Sequence, residues 1–146
     1  MAFDVQKGYQ ETHGVAVPGM IADTRFKTVR SLNYEGASTG APVKFGKAVT
    51  FTTNDNGCDL GGSVFAGIVV SQQTNEEQDA FKIGQTLGAM TEGAIWVEPI
   101  DAVVPGDPVQ FNPATGDIGK GAGTVIPDAV FESTAAPGEL ARVFMK

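Results

Sequence analysis

Apolar and polar residues alternate with a period of two along most of the chain, the spacing that sorts side chains onto opposite faces of a β-strand. In "VKFGKAVTFTT", Val43 and Phe45 share a face, and so, further on, do Val49 and Phe51. Gly46 falls between the two pairs and marks a candidate bulge. "TRFKTVRSLNYEG" places Phe26, Thr28 and Arg30 on one face and Arg25, Lys27 and Val29 on the other. Its three cations suit an edge strand. "SVFAGIVVSQQ" reads as a buried strand, and "LGAMTEGAIWVEPID" as a strand pair in which Ile95 and Val97 alternate with Trp96 and Glu98. Ile126 to Ser133 is a further strand. "ELARVFMK" ends the chain with Leu140, Arg142 and Phe144 on one face and Ala141 and Val143 on the other. Helical spacing is not sustained anywhere, and one short helix around Glu76 to Phe81 is the most the pattern supports.

Turn signals separate these segments roughly every eight to twelve residues. The fold class is therefore all-β, a compact β-barrel or β-sandwich of about eight short strands. Before Arg25 there is no long alternation. "HGVAVPGMIAD" has a short apolar run, a Pro-Gly turn and then Met20-Ile21. Residues 1–24 are read as an extended N-terminal arm that touches down in places, and residues 25–146 as the β-rich domain.

Length and composition agree with one domain: 146 residues, with 19 Gly and 8 Pro. Ten basic residues against seventeen acidic ones give a net charge of −7. No nucleic-acid partner is expected, because a phosphate backbone is gripped mainly by Lys and Arg. The single cysteine, Cys58, excludes an intrachain disulfide. The first residues lack the apolar core of a signal peptide, and no stretch approaches the roughly 20 apolar residues of a membrane span.

The chemistry survey is mostly exclusion. His13 is the one histidine, so neither a Ser-His-Asp arrangement nor an activated Cys58 has a base placed near it. One Cys and one His cannot supply a structural zinc site. "NDNGCDLGG" offers Asn54, Asp55, Asn56 and Asp59 as oxygen ligands but lacks the spacing and terminal Glu of a calcium loop, so turn chemistry explains it better. "GDIGKGAGT" has glycines and Lys120 but opens no helix, which a phosphate loop requires. "VVPGDPVQFNPATGDIG" holds two candidate carboxylates, Asp107 and Asp117. Local backbone geometry accounts for each residue type in it. Gly106-Asp107-Pro108 feeds the strand at Val109, Pro113 suits a second turn position, and Gly116 supplies positive φ. The stretch reads as punctuation around a hairpin. No catalytic residue, cofactor or metal site is expected.

The order of the strand motifs is more telling. "VPGMIADTRFKTVRSLNYEG", "FGKAVTF", "FAGIVV", "TEGAIWVEP", "PGDPVQFNPATGDIG" and "ELARVFMK" follow one another as in tailed-bacteriophage capsid decoration proteins, the structural cement family, which the chain resembles over most of its length. The resemblance implies a non-enzymatic protein that binds the exterior of an icosahedral capsid and stabilises contacts between major capsid protein subunits. It implies the major capsid protein and further copies of itself, as dimer or trimer, as partners. It also implies a place on the outer virion surface after synthesis in the host cytoplasm.

Met20, Ile21, Phe26 and Tyr34 are the candidate partner-binding residues, since they lie in the arm or the polar strand where a core role is least assured. The alternative is a small ligand- or carbohydrate-binding β-domain. Such a site needs an exposed aromatic platform, whereas Trp96, between Ile95 and Val97, is expected in the core or at a subunit contact.

Overall fold

A computed structural model describes residues 16–72 and 80–146. Eleven strands run in chain order: β1 (Thr28–Tyr34), β2 (Val43–Lys44), β3 (Ala48–Phe51), β4 (Gly57–Asp59), β5 (Phe65–Val69), β6 (Ala80–Phe81), β7 (Thr86–Val97), β8 (Pro108–Phe111), β9 (Ile118–Gly119), β10 (Thr124–Phe131) and β11 (Ala141–Met145). No helix occurs among the described residues. The helix expected around Glu76 to Phe81 falls largely outside them, and its last two residues form β6.

Nine strands make one sheet in the order β1-β4-β3-β5-β7-β11-β10-β8-β9, and a further β1–β7 pairing closes the first five into a barrel. Closure corrects the edge reading of β1. That strand pairs with β4 in parallel, Tyr34 opposite Cys58, and with β7 antiparallel from Thr28 to Asn33. Of the three cations only Arg30 lies within β1, where it is exposed, and with a neighbour on both sides the strand has no edge for a cation to protect.

Residues 86–97 are one strand of 12 residues, where a pair was expected. Its first half pairs with β1 and β5, and its second half with β11. It thus serves the barrel and then the flanking strands. Gly46 is a second correction. It makes no bulge but divides β2, in the small β2–β6 sheet, from β3, in the barrel.

Two apolar clusters form the core. Leu32, Tyr34, Val49, Cys58, Val69 and Leu87 unite barrel strands, with Val43 and Phe81 of the small sheet packed in. The other gathers Ile95, Val97, Val109, Phe111, Phe131 and Val143 from β7–β11, and reaches Ile68 and Met90 of the barrel. In β11 Ala141, Val143 and Met145 face inward while Arg142 and Phe144 face outward, as the alternation predicts.

Candidate interaction surface

Residues 19–22 lie along the second half of β7. Gly19 N–H donates to Trp96 O at 2.7 Å, Trp96 N–H to Met20 O at 3.0 Å, and Ala22 N–H to Ala94 O at 2.9 Å. Ile21 bridges Ile95 antiparallel and packs against the core. Met20 is half-buried.

Two glycines permit this approach. Gly19 and Gly46 have φ of 83° and 81° and face each other. A Cβ on Gly19 would lie 2.8 Å from Val69 O and 2.9 Å from Gly46 N, closer than real Cβ atoms come to backbone. Gly46 N–H donates to Val69 O at 2.8 Å, and Ser71 N–H donates to Gly19 O at 2.8 Å, so the seam is hydrogen-bonded on both sides.

Next along the chain comes a charge cluster. The Arg25 guanidinium donates to both carboxylate oxygens of Asp23 (Nη2 to Oδ2, 2.7 Å) and both of Glu132 (Nη2 to Oε1, 2.6 Å; Nη1 to Oε2, 3.0 Å). Its centre stands 4.3 Å from the Phe144 ring centroid. Arg142 Nε donates to Glu132 Oε1 at 3.2 Å. Both carboxyls are held below their ordinary values, chiefly by hydrogen bonds from Arg25, and Arg25 is raised by Glu132 and then Asp23. Such bidentate pairs fix direction as well as charge. The clamp sets the course of the chain just before Phe26, which is 79% exposed.

The four candidate contact residues are therefore not equivalent. Phe26 is presented outward. Met20 and Ile21 lie on the seam with β7, Ile21 with its side chain against the core. Tyr34 is a correction: its side chain is fully buried in the barrel and its hydroxyl donates to Ala41 O at 2.7 Å, leaving no surface to offer a partner. Of the two places expected for Trp96, the core is not where it lies. It is partly buried, on the face opposite Ile95 and Val97. The clamp itself escaped sequence reading, because Arg25 and Glu132 are 107 residues apart and meet only through the succession of Ala22 on Ala94, β7 on β11 and β11 on β10.

A family model described as structural cement protein (E217 gp24/Pam3 gp6) matches residues 5–146. The chain belongs to this phage structural cement family. Its fold is similar to a solved chain from the capsid of Myoviridae phage XM1, with TM-score 0.72, 18% identity and 89% of each chain covered. It is also similar to the head fiber gp8.5 N base of bacteriophage phi29, with TM-score 0.54, 11% identity, 83% of this chain and 95% of that one covered. No curated protein matches it.

In this cement-family chain the residues surveyed for chemistry hold the fold together. Asp107 Oδ2 accepts Val104 N–H at 2.9 Å, closing the turn before β8. Asp117 accepts Lys47 Nζ at 2.5 Å and Thr115 Oγ1 at 2.9 Å. Burial pushes the Asp117 carboxyl up, but those two donors outweigh it and the net shift is downward. The pair ties the β8–β9 hairpin to the start of β3. Pro113 and Gly116 occupy the expected turn, with Thr115 and Gly116 N–H both donating to Asn112 O.

In "NDNGCDLGG", Asn54 Nδ2 donates to Glu35, and Asp59, 7% exposed, accepts Ser38 and Leu60 N–H. The Lys120 and Gly121 N–H groups are held by the Asp101 carboxylate, so an anion site there already has its anion. The Cys58 thiol is buried and pushed up to about 12 by desolvation, then by Asp59 and Glu35. A thiol held in that state is not a nucleophile at neutral pH.

Proposed function

We propose that this protein binds the exterior of an icosahedral phage capsid and stabilises contacts between major capsid protein subunits, without turning over a substrate. The observation that carries the reading is the family match across residues 5–146. The structure supports it physically. A closed barrel continued by four strands that share an apolar cluster with it is a preorganised body, and such a body transmits load across a seam with little entropy lost on binding. The arm, residues 1–24 in this reading, adds reach, and a strand-like segment can pair with a neighbouring sheet edge. Further copies, as dimers or trimers, multiply modest contacts through avidity. A stable contact of ordinary size buries about 1,600 Å² in total, within reach of a domain of this size. Phe26 is the foremost candidate anchor, with Met20 and Ile21 fastening to β7 the segment that leads to it.

The test mixes purified protein with undecorated expanded capsids and measures occupancy together with the temperature of shell rupture. Saturable binding with a rise in rupture temperature supports the reading. Absence of binding to the cognate shell overturns it and reopens the carbohydrate-binding alternative.

A further inference from the structure

The chain has one Asn-Gly pair, Asn56-Gly57, and the fold calls for both residue types. Asn56 has a φ of 57°, a left-handed conformation that Asn adopts more readily than most residues with a side chain. Gly57 starts β4, and a Cβ there would collide with Glu35 Oε2 and Thr52 Oγ1. That space is occupied because the Glu35 carboxylate accepts Thr52 Oγ1 and Asn54 Nδ2, each at 3.0 Å, and so pins the turn before β4. Asn-Gly is also the pair most open to deamidation, since no side chain on the glycine shields its nitrogen from the asparagine carboxamide.

In that reaction the Gly57 backbone nitrogen gives up its proton to water and bonds to Asn56 Cγ. The Cγ–Nδ2 bond breaks, and the nitrogen takes a proton and leaves as ammonia. Water then opens the cyclic imide at either carbonyl, giving aspartate or isoaspartate. The native chain is held against the first step. Gly57 N–H donates to Asn54 O at 3.2 Å, and Asn56 O accepts Asn33 N–H at 2.7 Å, so the linking peptide is fixed on both sides. Gly57 is buried although Asn56 is exposed. The Glu35 carboxylate lies directly against Gly57, so the attacking amide anion would form beside a charge of its own sign.

We propose that Asn56-Gly57 is a latent deamidation site, closed in the native barrel and open in the unfolded chain. The product matters because of where the pair lies. In the parallel β1–β4 pairing of the barrel, Asn33 is in register with Gly57 and Tyr34 with Cys58. Isoaspartate adds a methylene to the main chain one residue before that register and displaces the carbonyl that holds Asn33 N–H. A chain that ages while unfolded therefore cannot remake the pairing, and its loss becomes irreversible. This goes beyond the capsid-binding reading and does not depend on it.

The experiment holds one sample of the full chain native and another unfolded in guanidinium chloride, at the same mildly alkaline pH and temperature. Peptide mapping by mass reads amide loss at Asn56, an isoaspartyl methyltransferase reads the isoaspartate, and near-UV circular dichroism after dilution reads refolding. The native sample converts roughly 30-fold or more slowly, because local opening must precede attack. The aged unfolded sample regains the native signal only in the fraction free of isoaspartate. Asn56→Gly suits the left-handed φ and has no carboxamide, so it refolds fully after the same ageing.

Equal conversion in the two samples, or none in the unfolded one, overturns the inference. Full refolding of chains that carry isoaspartate at residue 56 also overturns it, since the barrel would then accept the product. So does an Asn56→Gly chain that ages to the parental loss, because the damage would lie elsewhere. Should that variant not fold from the start, the comparison of the two parental samples decides.

Discussion

Replacing Gly19 with Ala tests how residues 18–22 are fastened to β7. The added Cβ would stand 2.8 Å from Val69 O and 2.9 Å from both Gly46 N and Phe45 Cβ, two of them backbone atoms with no flexible end to give way. The left-handed φ of 83° costs a side-chain-bearing residue about 1–2 kcal/mol. Overpacking of this kind adds about 1–3 kcal/mol. The total is roughly 2–5 kcal/mol if the seam stays closed.

The seam has little to hold it against that strain. Four hydrogen bonds join Gly19, Met20 and Ala22 to Trp96, Ala94 and Ser71, worth about 1 kcal/mol each. Fixing the backbone of residues 18–22 costs about 1–2 kcal/mol per residue, so burial of Ile21 must supply the difference. The seam therefore opens locally while the barrel stays folded.

Amide exchange at Ser71, Ala22 and Trp96 should accelerate by roughly 30-fold or more, while barrel amides such as Ala89 keep their protection. Unchanged exchange at those three amides would refute the reasoning. So would uniform acceleration across the barrel, because the seam would then be part of one cooperative unit.

Phe111→Ala removes a fully buried ring from the second core cluster and should cost about 3–5 kcal/mol, read as a lower midpoint in denaturant with an unchanged slope. Asp23 and Glu132 are held below their ordinary values, so their pairing with Arg25 contributes fully above those values and is lost as pH falls through the lower folded ones. The thermal midpoint should be insensitive to this cluster from about pH 8 down to about pH 5 and decline below about pH 4, with a smaller decline in Glu132→Gln. Cys58 should resist a thiol reagent at pH 8 in the native protein and react at once in denaturant; rapid native reaction would contradict its burial.

What could be read from the sequence was local. The inward and outward faces of β11, the Pro113–Gly116 turn and the buried run in β5 all follow from period-two alternation and turn chemistry, which depend on neighbours within a few residues. Barrel closure was not legible. The parallel pairing of β1 with β4 joins residues more than 20 apart, and no local pattern specifies which strand lies beside which. That missing fact produced two errors together. The cations of the segment leading into β1 looked like edge protection, and Tyr34 looked available when closure buries it with Leu32 and Cys58 in one cluster. The length of β7 was hidden for a related reason. Gly88 and Gly93 resemble breaks, yet in the fold they let Val29 and Lys27 of the adjacent segment approach closely. Of the candidate surface, Phe26 was visible as an aromatic in a polar segment. The Arg25 clamp that orients it depends on a partner 107 residues away.

The proposed binding to the capsid exterior is tested most directly by adding the purified full chain to undecorated expanded capsids of its own phage and heating the particles with and without it. The expected result is saturable occupancy on the outer surface and a higher rupture temperature that rises with occupancy. Saturated particles that rupture at the same temperature as bare ones would contradict it.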